Sequence, residues 1–253
     1  MPTLKGIAAN ELDGWAALRV QWAHVEFGHW LWDSPQQSFG APCSFHLYKQ
    51  IPIATEIFAA IQHPSFDGWW LVGGNEPDLE KLPAADGVTL LKAQIDAVKA
   101  THPTAKFCAT LGSQIHAPTK PSAWFPPVWN ALPAPYKASI GAFHTHFYAG
   151  VLANPANLSS PAQIKTFLQT VRNWMNNSGS AARELWLTEI GLGHNTVTDT
   201  DPRTILYPQV VAQACSGLVT RWAWYIYEAR GDGYFGLRDN HVPNCIGKVF
   251  AAM

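Results

Sequence analysis

The amino-acid sequence predicts an α/β fold, a compact (β/α)8 TIM barrel, and three observations carry that prediction. The chain has 253 residues, and ~250 is the usual size of such a barrel. Short apolar runs bounded by glycine or proline alternate with segments of helical period, about eight times along the chain. Two of these runs, in residues 68–78 (GWWLVGGNEPD) and 185–191 (LWLTEIG), end in polar residues around Glu76 and Glu189. Runs this short read as buried strands of a parallel sheet. Their polar C-terminal ends then fall on the face where barrels of this class carry their chemistry.

Taken in order, residues 4–8 make a first strand and 11–17 a helical turn. Residues 18–25 alternate as a second strand and run into an aromatic loop over 27–32, which holds Trp30 and Trp32. A third strand is placed at 45–49, and an apolar-periodic helix at 53–62. The fourth strand, 69–73, is cut by Gly73 and Gly74, and Pro77 holds Glu76 in extended backbone. A helix over 84–101 stops before Pro103. The fifth strand, 106–111, precedes a proline-rich loop and helix over 118–132. Residues 140–148 form the sixth strand and end in polar aromatics. Ser160 caps a helix that has Pro161 at its first position and runs to about 176. The seventh strand spans 185–190, Asp201 and Pro202 start the helix over 203–216, and 218–227 is the eighth strand. A short helix ends at Phe250.

Composition narrows the function classes. Hydrophobic residues make up 47% and charged residues 14%, which suits one well-buried core, and residues 1–253 read as a single domain. A net charge of −1 without a basic block speaks against nucleic acid and against an anionic membrane surface. No apolar stretch reaches transmembrane length. The opening residues MPTLK lack the pattern of a signal peptide, so a mature secreted domain and a cytoplasmic protein both fit. The four cysteines show neither C-x-x-C nor metal-ligand spacing. Cys108 and Cys215 read as buried small hydrophobes, and a Cys43–Cys245 bridge stays open. No cofactor is expected, and the chain is expected to be a monomer.

Glu76 and Glu189 both fall at C-terminal strand ends, on the fourth and seventh strands. Two carboxylates across one barrel mouth are what hydrolysis of a glycosidic bond requires, one protonated and one ionised. Twelve tryptophans are many for this length, and flat aromatic faces stack on sugar rings as readily as they fill a core. Trp30 and Trp32, in a loop, are expected to meet substrate. Trp222 and Trp224 share one face of the eighth strand, and the one nearer the strand end is expected to floor a sugar subsite while the other is core. His144 and His146 also share a strand face and serve equally well as sugar ligands or as satisfied barrel-interior residues. Arg19 and Arg221 are expected in interior salt bridges, and Asp78 as the cap of the turn after Pro77. Glu228, Asp232 and Asp239 read as solvated loop acids just past the eighth strand.

The pair Asn75-Glu76-Pro77 and Thr188-Glu189-Ile190-Gly191, in this order, resembles the clan A glycoside hydrolases. These are retaining (β/α)8 enzymes with the acid/base after strand four and the nucleophile after strand seven. The small barrel, with GNEPD at 74–78 and WLTEIG at 186–191, is most similar to glycoside hydrolase family 128, endo-β-1,3-glucanases with a compact catalytic core. The 143–148 segment (FHTHFY) is similar to the His-x-Tyr element of that clan. The resemblance implies Glu76 as acid/base, Glu189 as nucleophile, Asn75 on the sugar 2-hydroxyl, and Tyr148 or His146 steering Glu189. It implies a polysaccharide or oligosaccharide partner and no metal. Segment 26–52 departs from the clan pattern and is expected to carry much of the specificity.

Other readings remain beside this one: a clan A glycosidase acting on cellulose, mannan or xylan, a non-catalytic carbohydrate-binding barrel, and a different barrel enzyme. An aldolase would need a Schiff-base lysine on a strand, with Lys49 and Lys106 as the near candidates. A metal-dependent hydrolase would need ligands beginning from His144 and His146 with His24 or His194.

Overall fold

The computed structural model describes residues 3–9, 15–26, 41–47, 57–58, 61–113, 123–149, 160–192, 201–225, 236–239 and 242–253. Eight parallel strands close into a barrel: β1 (Leu4–Ala9), β2 (Trp22–Glu26), β3 (Cys43–His46), β4 (Phe66–Val72), β5 (Lys106–Thr110), β6 (Ile140–Ala149), β7 (Glu184–Leu192) and β8 (Arg221–Trp224). Each strand pairs with its neighbour in sequence, and β8 returns to β1 with Leu4 opposite Arg221. Helices whose ends both lie among the described residues are α1 (Ala84–Thr101), α2 (Phe125–Ala131), α3 (Ala134–Ser139), α4 (Pro161–Asn177), α5 (Pro202–Cys215) and α6 (Cys245–Ala252). A two-residue antiparallel ribbon, β9 (Arg238–Asp239) with β10 (Val242–Pro243), precedes α6. The predicted barrel and its strand count are observed.

Local chemistry explains several boundaries. Ser160 and Gln163 form a reciprocal capping box at the start of α4, satisfying two backbone donors that a helix start leaves free. Asp201 accepts from Arg203 N ahead of Pro202 and opens α5.

Some expected elements shift. Leu18, expected in the second strand, belongs to a 3-10 turn over Trp15–Leu18 and packs beside Gly247 of α6. The third strand begins and ends earlier than expected. The eighth is shorter, because Leu218 and Val219 return their N–H groups to Cys215 O and close the end of α5 instead. Of the loop and helix expected over 118–132, the described residues hold α2, with α3 as a separate short helix after Pro133; residues 118–122 lie outside the described ones. Residues 57, 58 and 61 are helical, and the rest of the expected 53–62 helix lies outside the described residues. All four cysteines are free thiols: Cys43 is buried in β3 and Cys245 is exposed at the start of α6, so the bridge left open above is not formed.

Strand alternation divides the side chains between two cores. Outward-facing residues such as Ile7, Val25, Phe45, Trp70, Phe107, Phe143, Leu187 and Trp224 meet the helices. Inward-facing Trp22, Trp69, Leu71, Cys108, Ala142, Trp186 and Ala223 fill the lower barrel. At its base Arg221 of β8 forms an ion pair with Asp67 of β4 at 2.6 Å. The guanidinium lies 4.2, 5.4 and 5.9 Å from the ring centres of Trp186, Trp22 and Trp69. Ser44 completes the group, accepting from Trp22 Nε1 and donating to Asp67. Of the two arginines expected in salt bridges, Arg221 is found there. Arg19 is exposed and forms none among the described residues.

Candidate active site

Glu76 is presented by the turn that leaves β4. Gly73 and Gly74 adopt φ of 100° and 87°, a region that side chains other than glycine's enter only with strain. A Cβ on Gly73 would also stand 2.9 Å from Thr110 Cγ2. A buried amide fixes the turn from behind: Gly73 N donates to Gln94 Oε1 at 2.7 Å, and Gln94 Nε2 donates to Leu47 O at 3.3 Å. Ahead of it, Asp78 Oδ1 accepts from Ser113 N at 2.7 Å and ties the segment to the end of β5. Asp78 is the residue expected to cap the turn after Pro77, and its Oδ1 is engaged beyond that turn. Backbone bonds from Leu79 and Glu80 to Glu76 O close that turn, and the side chain reaches across to the neighbouring strand.

Glu189 reaches the interior by a different device. On the β6 side Thr145 pairs with Leu187 and His146 with Glu189; on the β8 side Trp222 pairs with Leu187 and Trp224 with Ile190. Strand β7 therefore holds one residue more than each neighbour between Leu187 and Ile190, a β-bulge. Trp186 faces inward and Leu187 outward, and past the bulge Ile190 again faces outward. Thr188 and Glu189 both point inward as a result. From Ala142 onward β6 alternates regularly, so His144, His146 and Tyr148 line one inner face.

These elements bring four side chains together. His146 Nδ1 lies 2.8 Å from Glu76 Oε1 and 3.4 Å from Glu189 Oε2. The Tyr148 hydroxyl donates to Glu189 Oε2. One ligating atom from each of Glu76, His146 and Glu189 lies within 4.8 Å of the other two. Exposure falls from 18% for the Glu76 side chain to 5% for Glu189 and 1% for His146. Glu76 thus faces the opening, and Glu189 lies deeper. Asn75 is half-buried beside Glu76, and its Oδ1 has no hydrogen-bond partner among the described residues.

Burial and charge set the protonation states. Burial pushes the Glu189 carboxyl up and the Glu76 charge adds to this; the His146 charge and the Tyr148 hydrogen bond pull it back, and the net is a raised value. The resemblance led to the expectation that Tyr148 or His146 holds Glu189 ionised. Both do act on it, but loss of hydration outweighs them. Burial pushes His146 down, yet the charge of Glu189 and the hydrogen bond and charge of Glu76 prevail and raise it. Tyr148 is raised well above the ordinary tyrosine range by burial and then by Glu189, so it remains a donor.

Beneath this group lies a tier of imidazoles. Successive ring centres of His24, His46, His144 and His146 are 5.8, 5.2 and 6.0 Å apart. His24 Nε2 donates to Thr188 O at 2.7 Å, and His144 Nδ1 lies 3.0 Å from Thr188 Oγ1. Burial and the neighbouring His146 hold His24 down to about 3, and burial holds His46 and His144 well below the ordinary histidine range.

Other residues singled out by their sequence context land elsewhere. His144 is fully buried below the glutamates, which corrects the substrate-contact reading in favour of the interior one. Trp222 and Trp224 face outward, against Phe250 of α6 and Tyr207 of α5. Inward Arg221 and Ala223 fix that parity, so neither tryptophan floors a sugar site. Lys106 is exposed at the start of β5 over the Trp69 ring, far from the mouth. Asp239 is exposed on β9. Trp30, Trp32, Lys49, His194, Glu228 and Asp232 lie outside the described residues. The alternation that turns Trp224 outward brings the next residue, Tyr225, to the mouth, where its ring meets Tyr148 edge-on at 5.7 Å. Counting parity from an inward Arg221 would have found it. Among the described residues, Glu76, His146 and Glu189 are the group with metal-ligand spacing, and the His146 nitrogen concerned is already engaged by Glu76.

No model of a known protein family matches the chain, and no curated protein matches it. Solved structures do. A GH128 subgroup I endo-β-1,3-glucanase from Amycolatopsis mediterranei, in complex with laminaripentaose, aligns over 99% of both chains at 17% identity and a TM-score of 0.66. A GH128 subgroup III curdlan-specific exo-β-1,3-glucanase from Blastomyces gilchristii aligns over 99% of this chain and 98% of that one, at 14% identity and a TM-score of 0.70. A monomeric β-xylosidase from Caulobacter crescentus CB15 aligns over 99% of this chain and 67% of that one, at 17% identity and a TM-score of 0.68. At these identities the likeness is one of fold.

Proposed function

We propose that this chain is a retaining, endo-acting β-glycosidase that hydrolyses a β-glucan, with β-1,3-glucan as substrate. Glu76 acts as acid/base and Glu189 as nucleophile. The observation that carries this reading is the spacing of the two carboxylates, whose oxygens approach within 4.8 Å across the mouth. The carboxyl groups of retaining enzymes stand ~5–5.5 Å apart and those of inverting enzymes, with room for a water, ~6.5–9.5 Å; an oxygen-to-oxygen approach under 4.8 Å favours the shorter class. The likeness in fold to two β-1,3-glucanases, one of them endo-acting, supports the substrate class.

The geometry suits double displacement. Glu189 Oε2, oriented by the Tyr148 hydroxyl, attacks the anomeric carbon and forms a glycosyl ester as the glycosidic bond breaks. The departing oxygen takes a proton from Glu76. The 2.8 Å contact between His146 and Glu76 shares one proton, so His146 can buffer Glu76 as it changes from acid to base. Water then enters from the more open Glu76 side, gives its proton to Glu76, and releases Glu189. Asn75 Oδ1, without a partner among the described residues, would accept from the sugar 2-hydroxyl, a bond that strengthens as the oxocarbenium character develops. The enzyme is proposed to work as a monomer on an oligosaccharide or polysaccharide chain.

A panel of laminarin, curdlan, lichenan, carboxymethylcellulose, xylan and mannan, read by product size and by proton NMR, tests the reading. Laminarin cut to short oligomers, with the β anomer appearing before mutarotation, is expected. Activity confined to xylan or mannan would move the substrate to another β-glycan. The α anomer appearing first would make water the nucleophile and overturn the role of Glu189.

A further inference from the structure

We propose that His24 is a positioning residue for Glu189: its bond to the Thr188 carbonyl, with His144 on the Thr188 hydroxyl, holds the β7 bulge that turns Glu189 into the barrel mouth. The inference rests on the reading of Glu189 as nucleophile and adds a part to it.

Strict alternation from inward Trp186 would send Thr188 inward and Glu189 outward, into the apolar layer where Leu187 and Ile190 pack. The extra residue reverses that parity. A bulge removes regular ladder geometry, and a buried carbonyl that it turns aside needs a donor. The Thr188 carbonyl points into the barrel, and His24 Nε2 meets it at 2.7 Å. An amide oxygen only accepts, so this nitrogen carries the hydrogen. His24 comes from β2, two strands around from β8, and is itself buried. The Thr188 hydroxyl is met from β6 by His144 Nδ1 at 3.0 Å. One residue is therefore gripped at its backbone by one strand and at its side chain by another, and the next residue is Glu189.

Neither imidazole belongs to the reacting layer, since both lie beneath Glu76, His146 and Glu189. Residue types that only filled the interior would be served by leucine or alanine, as at Leu71 and Ala142 in the tier below. A donor at position 24 is needed because the bulge places an acceptor there. Burial also keeps His24 uncharged through the neutral range, so the clamp brings no second charge under the carboxylates.

Covalent labelling of Glu189 by 2,4-dinitrophenyl 2-deoxy-2-fluoro-β-laminaribioside separates positioning from folding. The limiting labelling rate reports how well Glu189 is aimed, and the half-saturating concentration reports binding. His24→Leu should label up to ~100-fold more slowly with nearly unchanged half-saturation, as expected when a reacting group is misplaced by ~1 Å. His24→Gln, whose amide restores a donor, should recover most of the rate. Thr188→Val keeps the side-chain shape and removes the hydroxyl, and a fall of about 10-fold is expected from the loss of one hydrogen bond. Equal rates in the parent and a folded His24→Leu overturn the clamp; if His24→Leu does not fold, an unchanged rate in Thr188→Val does so. A parent protein never labelled at Glu189 overturns the nucleophile itself, and the clamp with it.

Discussion

Tyr148 and Glu189 stand on adjacent strands, and the Tyr148 hydroxyl donates to Glu189 Oε2 where both side chains are almost wholly shielded from water. Burial raises Glu189, and Tyr148 is one of two neighbours that oppose the rise. Tyr148→Phe should therefore raise Glu189 further and move the acidic limb of the kcat/KM profile to higher pH. A hydrogen bond to a charged group is worth ~1.5–3 kcal/mol, so kcat should fall about 10- to 100-fold. A limb that stays in place would show that the hydroxyl does not govern Glu189.

Replacing Glu189 with glutamine should stabilise the fold while abolishing turnover. The folded-state pKa of Glu189 lies above its ordinary 4.5. Between the two values the folded protein keeps a proton that the unfolded chain releases. The contribution to stability is thus full below 4.5 and is lost as pH rises through the raised value. His146, raised partly by the same carboxylate, loses support in the variant chiefly at acid pH. The melting temperature of Glu189→Gln minus that of the parent should grow as pH rises from below 4.5 through the raised value, by ~2–4 °C for each kcal/mol recovered. A difference that shrinks with pH would reverse the assigned shift.

Trp224 is fully buried against Tyr207 of α5. Trp224→Ala should cost about 3–5 kcal/mol of stability and leave KM for polysaccharide close to that of the parent below the lowered melting temperature. A selective loss of affinity would return this tryptophan to the cleft.

The last case marks where sequence reasoning ran out. That Trp222 and Trp224 share a face follows from strand period, but which face depends on what Arg221 pairs with, and its partner Asp67 is on a strand across the barrel. Both glutamates were legible because a short apolar run leading to Asn75-Glu76-Pro77 or to Thr188-Glu189 reads as a strand approaching the mouth; Glu76 stands just past β4 and Glu189 within β7. How Glu189 comes to face inward was not legible. Nothing in residues 185–191 announces a bulge, and plain alternation points the carboxylate the wrong way. The histidine tier was equally hidden, since His24, His46 and His144 come from three strands and meet only when the sheet closes. Helices α1 and α5 were placed within a residue or so, because prolines and a capping aspartate bound them.

Arg221 and Asp67 make a prediction of the opposite kind. Both side chains are largely buried, and removing one leaves the other charge unpaired. Arg221→Met should destabilise by about 3–5 kcal/mol, with Asp67→Asn similar and the double variant less damaged than the sum, as a thermal double-mutant cycle would show. Additive losses would mean that the pair does not act as a unit.

The base of the barrel and its mouth form two electrical compartments. The groups that shift His146 and Glu189 are one another, Glu76, Asp78 and Tyr148. The field of Arg221, Asp67 and Glu184 is felt instead at Cys108, in the uncharged tier between. Because Arg221 and Asp67 neutralise each other within a cage of indole rings, the pair projects little field upward. Substitutions around Arg221 can therefore change thermal endurance without moving the titration of the mouth, whereas those around His146 and Glu189 act on both.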